Sequence, residues 1–189
     1  MHPLQKPYPG FWYGSSGPEG STWAGEQGLH FVTLGSMALA KENIDTFKAA
    51  FAKRGSAAQP KAEFRGGAAI GVQRHIFVDE TDEKARAWAK PAMEKHLENI
   101  NWLRTKHGVT GLVNRLKAVR GATFDECIEE GSVICGSPST VTAEIERHVH
   151  ELGINYLLAY MFLGTMAMPD AMRSLKIFAS EVMPKIARL

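Results

Sequence analysis

Phe11-Trp12-Tyr13-Gly14-Ser15-Ser16-Gly17-Pro18-Glu19 and, one helix length further on, His30-Phe31-Val32-Thr33-Leu34-Gly35 decide the fold. The first aromatic run, closed by Gly14, predicts a short strand. The stretch from Pro18 to Gln27 predicts a helix, with Gly28 as its C-cap, and the second apolar run predicts a second strand. Ser36 is placed to cap a second helix that carries Ala40, Ile44, Phe47 and Phe51 on one face. Strand, helix, strand, helix without a hairpin turn signal reads as consecutive parallel βα units.

The pattern continues outward from there. Arg54 to Gly67 reads as a loop, and Ala69 to Val78 as a third strand whose Gln73, Arg74 and His75 are unusually polar. Thr81 to Lys106 predicts a long helix with Ala85, Trp88, Ala92, Leu97, Ile100 and Leu103 along its apolar stripe, kinked or broken at Pro91. Residues 108–136 have the weakest periodicity and read as short helices and loops. Ser137 caps a further helix, with Pro138 at its first position and Val141, Ile145, Val149 and Leu152 inward as far as Gly153. A fourth buried strand, Asn155 to Leu163, and a last helix, Pro169 to Ala187, with Met172, Leu175, Phe178 and Val182 inward, complete the chain. Four βα units are half of an eight-stranded βα barrel, which usually takes about 250 residues. The expected fold class is therefore α/β: four parallel strands with flanking helices, and a helical insertion at 79–136 between the third and fourth strands. Residues 1–189 are expected to form a single partial domain, with 1–10 as an extended lead-in. An open doubly wound sheet competes, although the glycine fingerprint of dinucleotide binding does not follow the first strand.

Composition narrows the partners. The 189 residues are 44% hydrophobic, with Lys and Arg at 22 against Asp and Glu at 20, and the net charge of +2 offers no field for nucleic acid or an anionic membrane. The longest apolar candidate, Tyr156 to Gly164, is far short of the ~20 residues of a membrane span, and the N-terminus lacks a signal-peptide pattern. Cys127 and Cys135 form neither a Cys-x-x-Cys pair nor a disulfide framework, so the cytoplasm is the expected compartment.

The segment Gly14-Ser15-Ser16-Gly17-Pro18-Glu19 has the clearest chemistry. Ser16 and Glu19 have capping-box spacing, and a helix opening there turns its unpaired amides, with the hydroxyls of Ser15 and Ser16, toward the rim above the strand. Two readings stay open: a cradle for a phosphate, or serines that only cap the helix. Gly136-Ser137-Pro138 is a second capped start, with nothing polar clustered near it. His148 and His150 face different sides of a helix, and Glu144 with His148 reads as a solvated surface pair, so no metal is expected. His75 and Arg74 could reach a barrel interior or an outer salt bridge, and His96 reads as packed. Trp12, Tyr13, Trp23, Trp88 and Trp102 read as core residues. Met161, Met166, Met168, Met172 and Met183 give adaptable apolar surface suited to a long-chain substrate or a neighbouring subunit. No nucleophile elbow, P-loop or Cys with a base is present, and the catalytic residues stay unassigned.

Taken together, Pro9-Gly-Phe-Trp-Tyr-Gly-Ser-Ser-Gly-Pro-Glu19, Trp23-Ala-Gly-Glu-Gln-Gly-Leu29, Gly71-Val-Gln-Arg-His-Ile-Phe-Val78 with Thr81-Asp-Glu83, Cys135-Gly-Ser-Pro-Ser-Thr-Val141, Leu152-Gly-Ile-Asn-Tyr-Leu-Leu158 and Phe178-Ala-Ser-Glu-Val-Met-Pro184 resemble, in order, the C-terminal half of the bacterial luciferase-like flavin-dependent monooxygenases. The resemblance implies the second half of a (β/α)8 TIM barrel, FMN or a deazaflavin as cofactor, and oxidation of a small organic substrate by O2 and reduced flavin. It also implies that Gly14, Ser15, Ser16 and Gly17 meet the flavin phosphate, while Thr33, Leu34 and Gly35 approach the ring. Half a barrel exposes two strand edges, so a homo-oligomer or a companion subunit is expected to cover them. A flavin-binding or assembly protein without turnover, or a truncated remnant, is the alternative.

Overall fold

The computed structural model describes residues 4, 10–55, 67–109, 123–187 and 189, so the lead-in expected at 1–10 lies almost wholly outside the described residues. In chain order the elements are β1 (Trp12–Gly14), α1 (Pro18–Gln27), β2 (His30–Thr33), α2 (Met37–Ala52), β3 (Ile70–Val78), α3 (Asp82–Lys106), α4 (Phe124–Glu129), β4 (Val133–Gly136), α5 (Pro138–Leu152), β5 (Tyr156–Tyr160), α6 (Met168–Ile177), a π-helical turn (Phe178–Val182) and α7 (Met183–Ile186). The sheet is wholly parallel, with five strands instead of four. The addition is β4, within the segment expected to be helical. It is too short for a periodic signal, and all four of its residues are buried.

The local signals act as their chemistry dictates. Gly28, at φ 66°, ends α1, and Ser36, Thr81 and Ser137 accept amide hydrogen bonds as caps of α2, α3 and α5. Helix α3 runs through Pro91 without a break. Ala85 and Ala92 of the expected stripe are buried, with Ala89 and Met93 beside them, whereas Trp88 and Leu97 are only partly buried and Leu103 is exposed, since mostly small side chains let the helix lie close to the sheet. In α6 and the π turn the inward residues are Ala171, Ser174, Phe178 and Val182, whereas Met172 and Leu175 face outward.

Strand β3 organises the sheet. On one edge Ile70 to Val72 pair with β2 and His75 to Val78 with β4; on the other, Gly71 to His75 pair with β5. The Gln73–Arg74 step therefore lies between the end of β2 and the start of β4. The Arg74 guanidinium spans this gap, donating through Nη1 to the carbonyls of Gly35 at 2.9 Å and Gln73 at 3.0 Å. Its side chain is fully buried with no carboxylate beside it among the described residues, and burial, followed by the Arg147 charge, pushes its pKa down to about 9. The expected alternative of an outer salt bridge is not what forms.

Arg74 shares its face with Phe31, Val72, Ile76 and Val78, which pack under α1, α2, α5 and the π turn. The opposite face carries Trp12, His30, Val32, Gly71, Gln73, His75, Phe77, Tyr156, Leu158 and Tyr160, and it is concave. Trp12 on β1 and Tyr156 on β5 are separated by β2 and β3, about 14 Å across a flat sheet, yet their ring centroids are 4.7 Å apart. Gly71 lies beneath this approach: a Cβ there would meet Val32 Cγ2 at 3.1 Å and Tyr156 Cδ1 at 3.2 Å. Among the described residues, helices α3 and α4 pack on the Phe77–Cys135 end of this face, and α3 reaches on toward Gln73 and His75. Strand β5 is consequently open rather than buried, with Leu158 and Tyr160 each 46% exposed. Trp12, Trp23 and Trp102 are exposed too, so the expected aromatic core is not formed by them.

His148 is likewise not on the surface. It is fully buried, with Nδ1 2.7 Å from the Glu144 carbonyl and Nε2 3.0 Å from the Gly131 carbonyl. Burial, and then the Arg74 charge, hold its pKa below the ordinary 6.5. The unfolded chain therefore takes up this proton first, and stability is full above the ordinary histidine range and falls as the pH drops from 6.5 toward the depressed value. Urea midpoints measured from pH 8 to pH 5 are expected to decline in that window, and His148→Gln should flatten the decline by about one proton.

Candidate functional site

Because all five strands are parallel, the turns after them lie on one rim: Ser15–Gly17, Leu34–Ser36, Asp79–Thr81 and Ser137. In βα sheets this C-terminal rim is where ligand sites are built. Four helices of at least ten residues open there after strands β1 to β4, and their N-termini differ in what they face.

At α5, Asp82 Oδ1 accepts from Ser137 N–H at 2.6 Å, and the hydrogen bond from that amide leads the causes that hold the Asp82 carboxyl below its usual range. The second helix start read from the sequence is thus filled by the protein's own carboxylate. At α2, Ser36 Oγ accepts from Leu39 N–H and the Glu130 carbonyl accepts from Met37 N–H. At α3, Thr81 Oγ1 accepts from Lys84 N–H. Helix α1 has no such closure. Its N-cap is Gly17, not Ser16, so the expected Ser16–Glu19 capping box is absent: the chain turns into the helix one residue later, at a residue without a side chain. Pro18 has no N–H, and Ser21 is the first residue whose amide finds a backbone acceptor, Gly17 O at 3.1 Å. The amides of Glu19 and Gly20 have no acceptor among the described residues, and Ser16 is exposed beside them.

The two serines play different parts. Ser15 Oγ lies 3.3 Å from Gly17 N and 3.2 Å from Gly17 O, which folds the turn on itself, and leaves Ser16 as the outward hydroxyl. Sequence reasoning missed Gly20. A Cβ there would stand 2.3 Å from Ser15 Oγ and 2.9 Å from Ser15 Cβ, so the helix face must be bare for the turn to fold down on it. A buried polar chain anchors the turn from beneath: Ser21 Oγ lies 2.8 Å from Gly17 O and 3.3 Å from Asn43 Oδ1, and Asn43 Nδ2 donates to Thr33 Oγ1 at 3.3 Å. Thr33 therefore faces the helix layer and braces the loop, while Leu34 and Gly35 border a pocket on the concave side that also contains Gln73, His75 and His96. Gly35, at φ 107°, has a conformation that strongly favours glycine.

A second rim feature is a clasp. Asp79, at the end of β3, accepts from Trp88 Nε1 at 2.9 Å, Arg173 Nη2 at 2.8 Å and Glu80 N–H at 2.8 Å. Burial alone would raise its pKa; the hydrogen bonds from Arg173, Glu80 and Trp88 outweigh this and hold the carboxyl below its usual range. Cys135 is the reverse case, a buried thiol pushed up to about 12 and so not a nucleophile near neutral pH. No three His, Cys, Asp or Glu side chains meet in a metal-binding group among the described residues, and no described helix is long and apolar enough to cross a membrane.

The family model described as luciferase-like monooxygenase matches residues 1–156. The chain belongs to the luciferase-like monooxygenase family. A curated family relative, 2,5-diketocamphane 1,2-monooxygenase 1 of Pseudomonas putida, is 28% identical over 173 residues, covering 87% of this chain and 45% of the relative. Among solved structures, the oxygenating constituent of 3,6-diketocamphane monooxygenase from Pseudomonas putida, a type II Baeyer–Villiger monooxygenase in complex with FMN, superposes with a TM-score of 0.64 at 19% identity, over 92% of this chain and 48% of that one. The coenzyme F420-dependent tetrahydromethanopterin reductase of Methanopyrus kandleri gives 0.62 at 16% identity, over 93% and 50%. The chain spans about half the length of the curated relatives it matches. Solved neighbours thus include an FMN complex and an F420-dependent enzyme on the same fold.

The packing of Ser15 on Gly20 reverses a general rule. Alanine normally favours a helix over glycine by up to about 1 kcal/mol, but Gly20→Ala is expected to lower the unfolding midpoint. In a Ser15→Gly background the same substitution should cost less, because the contacts at 2.3 and 2.9 Å are gone and only the approach to Tyr13 Cε1 at 3.2 Å remains.

Proposed function

We propose that this chain forms the phosphate-holding half of a luciferase-like flavin-dependent monooxygenase, which oxidises a small organic substrate with O2 and reduced FMN, a deazaflavin being the alternative cofactor. The open N-terminus of α1 carries the reading. Two unpaired amides, an outward hydroxyl on Ser16, empty space around the Gly17 α-carbon and the positive end of a ten-residue helix suit an anionic group. In this reading Gly14 and Gly17 let the backbone approach the phosphate, and Ser16 donates to it. Ser15 holds the turn, Thr33 braces it, and Leu34 and Gly35 border the space for the ring. The bound flavin supplies the redox chemistry, and the chain's own residues bind it, orient it and keep water from it.

The exposed concave face also points to a partner. A second copy of the chain or a companion half barrel covers Trp12, Leu158 and Tyr160 and closes the open edges of β1 and β5. A flavin-binding or assembly protein without turnover is the second reading, favoured by the unreactive Cys135 thiol and by the lack of an assigned base.

Titration of the purified chain with FMN and with riboflavin tests the phosphate role. Ser16→Ala is expected to weaken FMN several-fold and leave riboflavin unchanged, and equal weakening of both, or of neither, rejects the assignment. Oxidation of reduced FMN with and without a long-chain aldehyde then separates the two readings, since bound flavin without substrate-dependent turnover supports the binding protein.

A further inference from the structure

We propose that Met37 is an oxidation site built into the fold: hydrogen peroxide converts its thioether to a sulfoxide, and the buried guanidinium of Arg74 holds the oxygen so introduced. Arg74 has more donors than acceptors. Its side chain is fully buried. Nη1 donates to the carbonyls of Gly35 and Gln73 at 2.9 and 3.0 Å, but among the described residues Nη2 meets only the Met37 sulfur, at 3.7 Å, and Nε has no acceptor. A thioether is a weak acceptor, so this side of a buried cation is left short of partners.

Met37 is held against that cation by the fold. It is the first residue of α2, and its amide donates to the Glu130 carbonyl at 2.7 Å, which fixes the backbone there. Its side chain lies over Gly131, where a Cβ would stand 2.5 Å from Met37 Cγ and 3.4 Å from Sδ, so the bare α-carbon makes room for the thioether arm. Met37 is only partly buried, and a small oxidant can reach it.

Oxidation ordinarily disrupts packing, because it makes an apolar side chain polar. At Met37 the surroundings reverse the sign. The sulfur gives an electron pair to one oxygen of the peroxide, the O–O bond breaks, and the other oxygen leaves as water with both hydrogens; sulfur is oxidised by two electrons and the peroxide is reduced by two. The new oxygen is a strong acceptor on the atom that already touches Nη2, and a hydrogen bond from a cation is roughly twice as strong as a neutral one. The unbranched methionine arm is flexible enough to turn that oxygen toward Nη2 or Nε. Other methionines make the contrast: Met93 is buried in an apolar cluster, Met166 Sδ accepts from the neutral Leu163 amide at 3.2 Å, and Met168, Met172 and Met183 are exposed. No flavin takes part, so the site stands apart from the function proposed above.

Peroxide treatment of the folded chain, beside its Met37→Leu variant, tests the site. Leucine is close to methionine in volume, so the variant should fold. Both proteins receive a dose that fully oxidises the exposed Met168, Met172 and Met183, the peroxide is removed with catalase, and the methionines are mapped by peptide mass spectrometry. Met37 is expected to gain one oxygen while Met93 stays reduced. Urea midpoints of both proteins before and after treatment form a cycle in which the shared methionines cancel, and oxidation of Met37 is expected to raise the midpoint. With arginine ¹⁵N-labelled, the side-chain signals of Arg74 should move on treatment of the wild type and stay in place on treatment of the variant. A Met37 that stays reduced at this dose, a midpoint that its oxidation lowers or leaves unchanged, or unmoved Arg74 signals overturns the proposal.

Discussion

Strand β3 has to satisfy three neighbours with two edges, and Arg74 makes that possible. Where β2 has ended and β4 has not begun, the carbonyls of Gln73 and Gly35 would face each other without a donor, and buried carbonyls left that way are costly. A guanidinium supplies several N–H groups from one side chain, and a lysine or glutamine could not reach both oxygens with the same planar geometry. The cation stays in the interior without a carboxylate because the carbonyl dipoles solvate it. Strands β2 and β4 can then follow one edge in succession, and the rim keeps its sequence of turns.

The curl of the sheet follows from a second local condition, the missing side chain at Gly71. With Trp12 and Tyr156 meeting over it, one end of the concave face is closed by aromatic rings, while the middle, at Leu158, His75 and Tyr160, stays accessible. The same curvature turns the polar residues of β3 to opposite fates: Arg74 goes to the dry helix layer, and Gln73 and His75 go to the cavity. In a flat sheet both faces would require helices, and the exposed apolar residues of β5 would have no concavity to line.

At the rim, anion-binding capacity is decided by what each helix start already holds. Asp82 holds the Ser137 amide at the start of α5, Ser36 and Glu130 hold the Leu39 and Met37 amides of α2, and Thr81 holds the Lys84 amide of α3. Helix α1 begins at a glycine followed by a proline, so its N-cap has no side chain to turn back to it. A site of this kind is selected by the absence of an internal ligand as much as by the presence of donors.

The sequence by itself determined the elements whose signals are local. Gly28, Ser36, Thr81, Ser137 and Gly153 mark helix ends through hydrogen bonds made within a few residues, and the 14–17 turn opens a helix as its composition requires. Strand β4, the fifth in the sheet, escaped because four residues buried on both faces carry no period. The roles of Arg74, Asp82 and His148 were equally invisible, since each depends on an atom that arrives from a distant part of the chain, and Gly20 was missed because its contact with Ser15 depends on how the turn folds down on the helix. His75 and His96 were legible as polar residues on a strand and a helix, but their meeting was not. Capping and periodicity are properties of neighbours in sequence; the filling of one helix start, the emptiness of another and the lining of a cavity are properties of neighbours in space, and only the tertiary structure decided them.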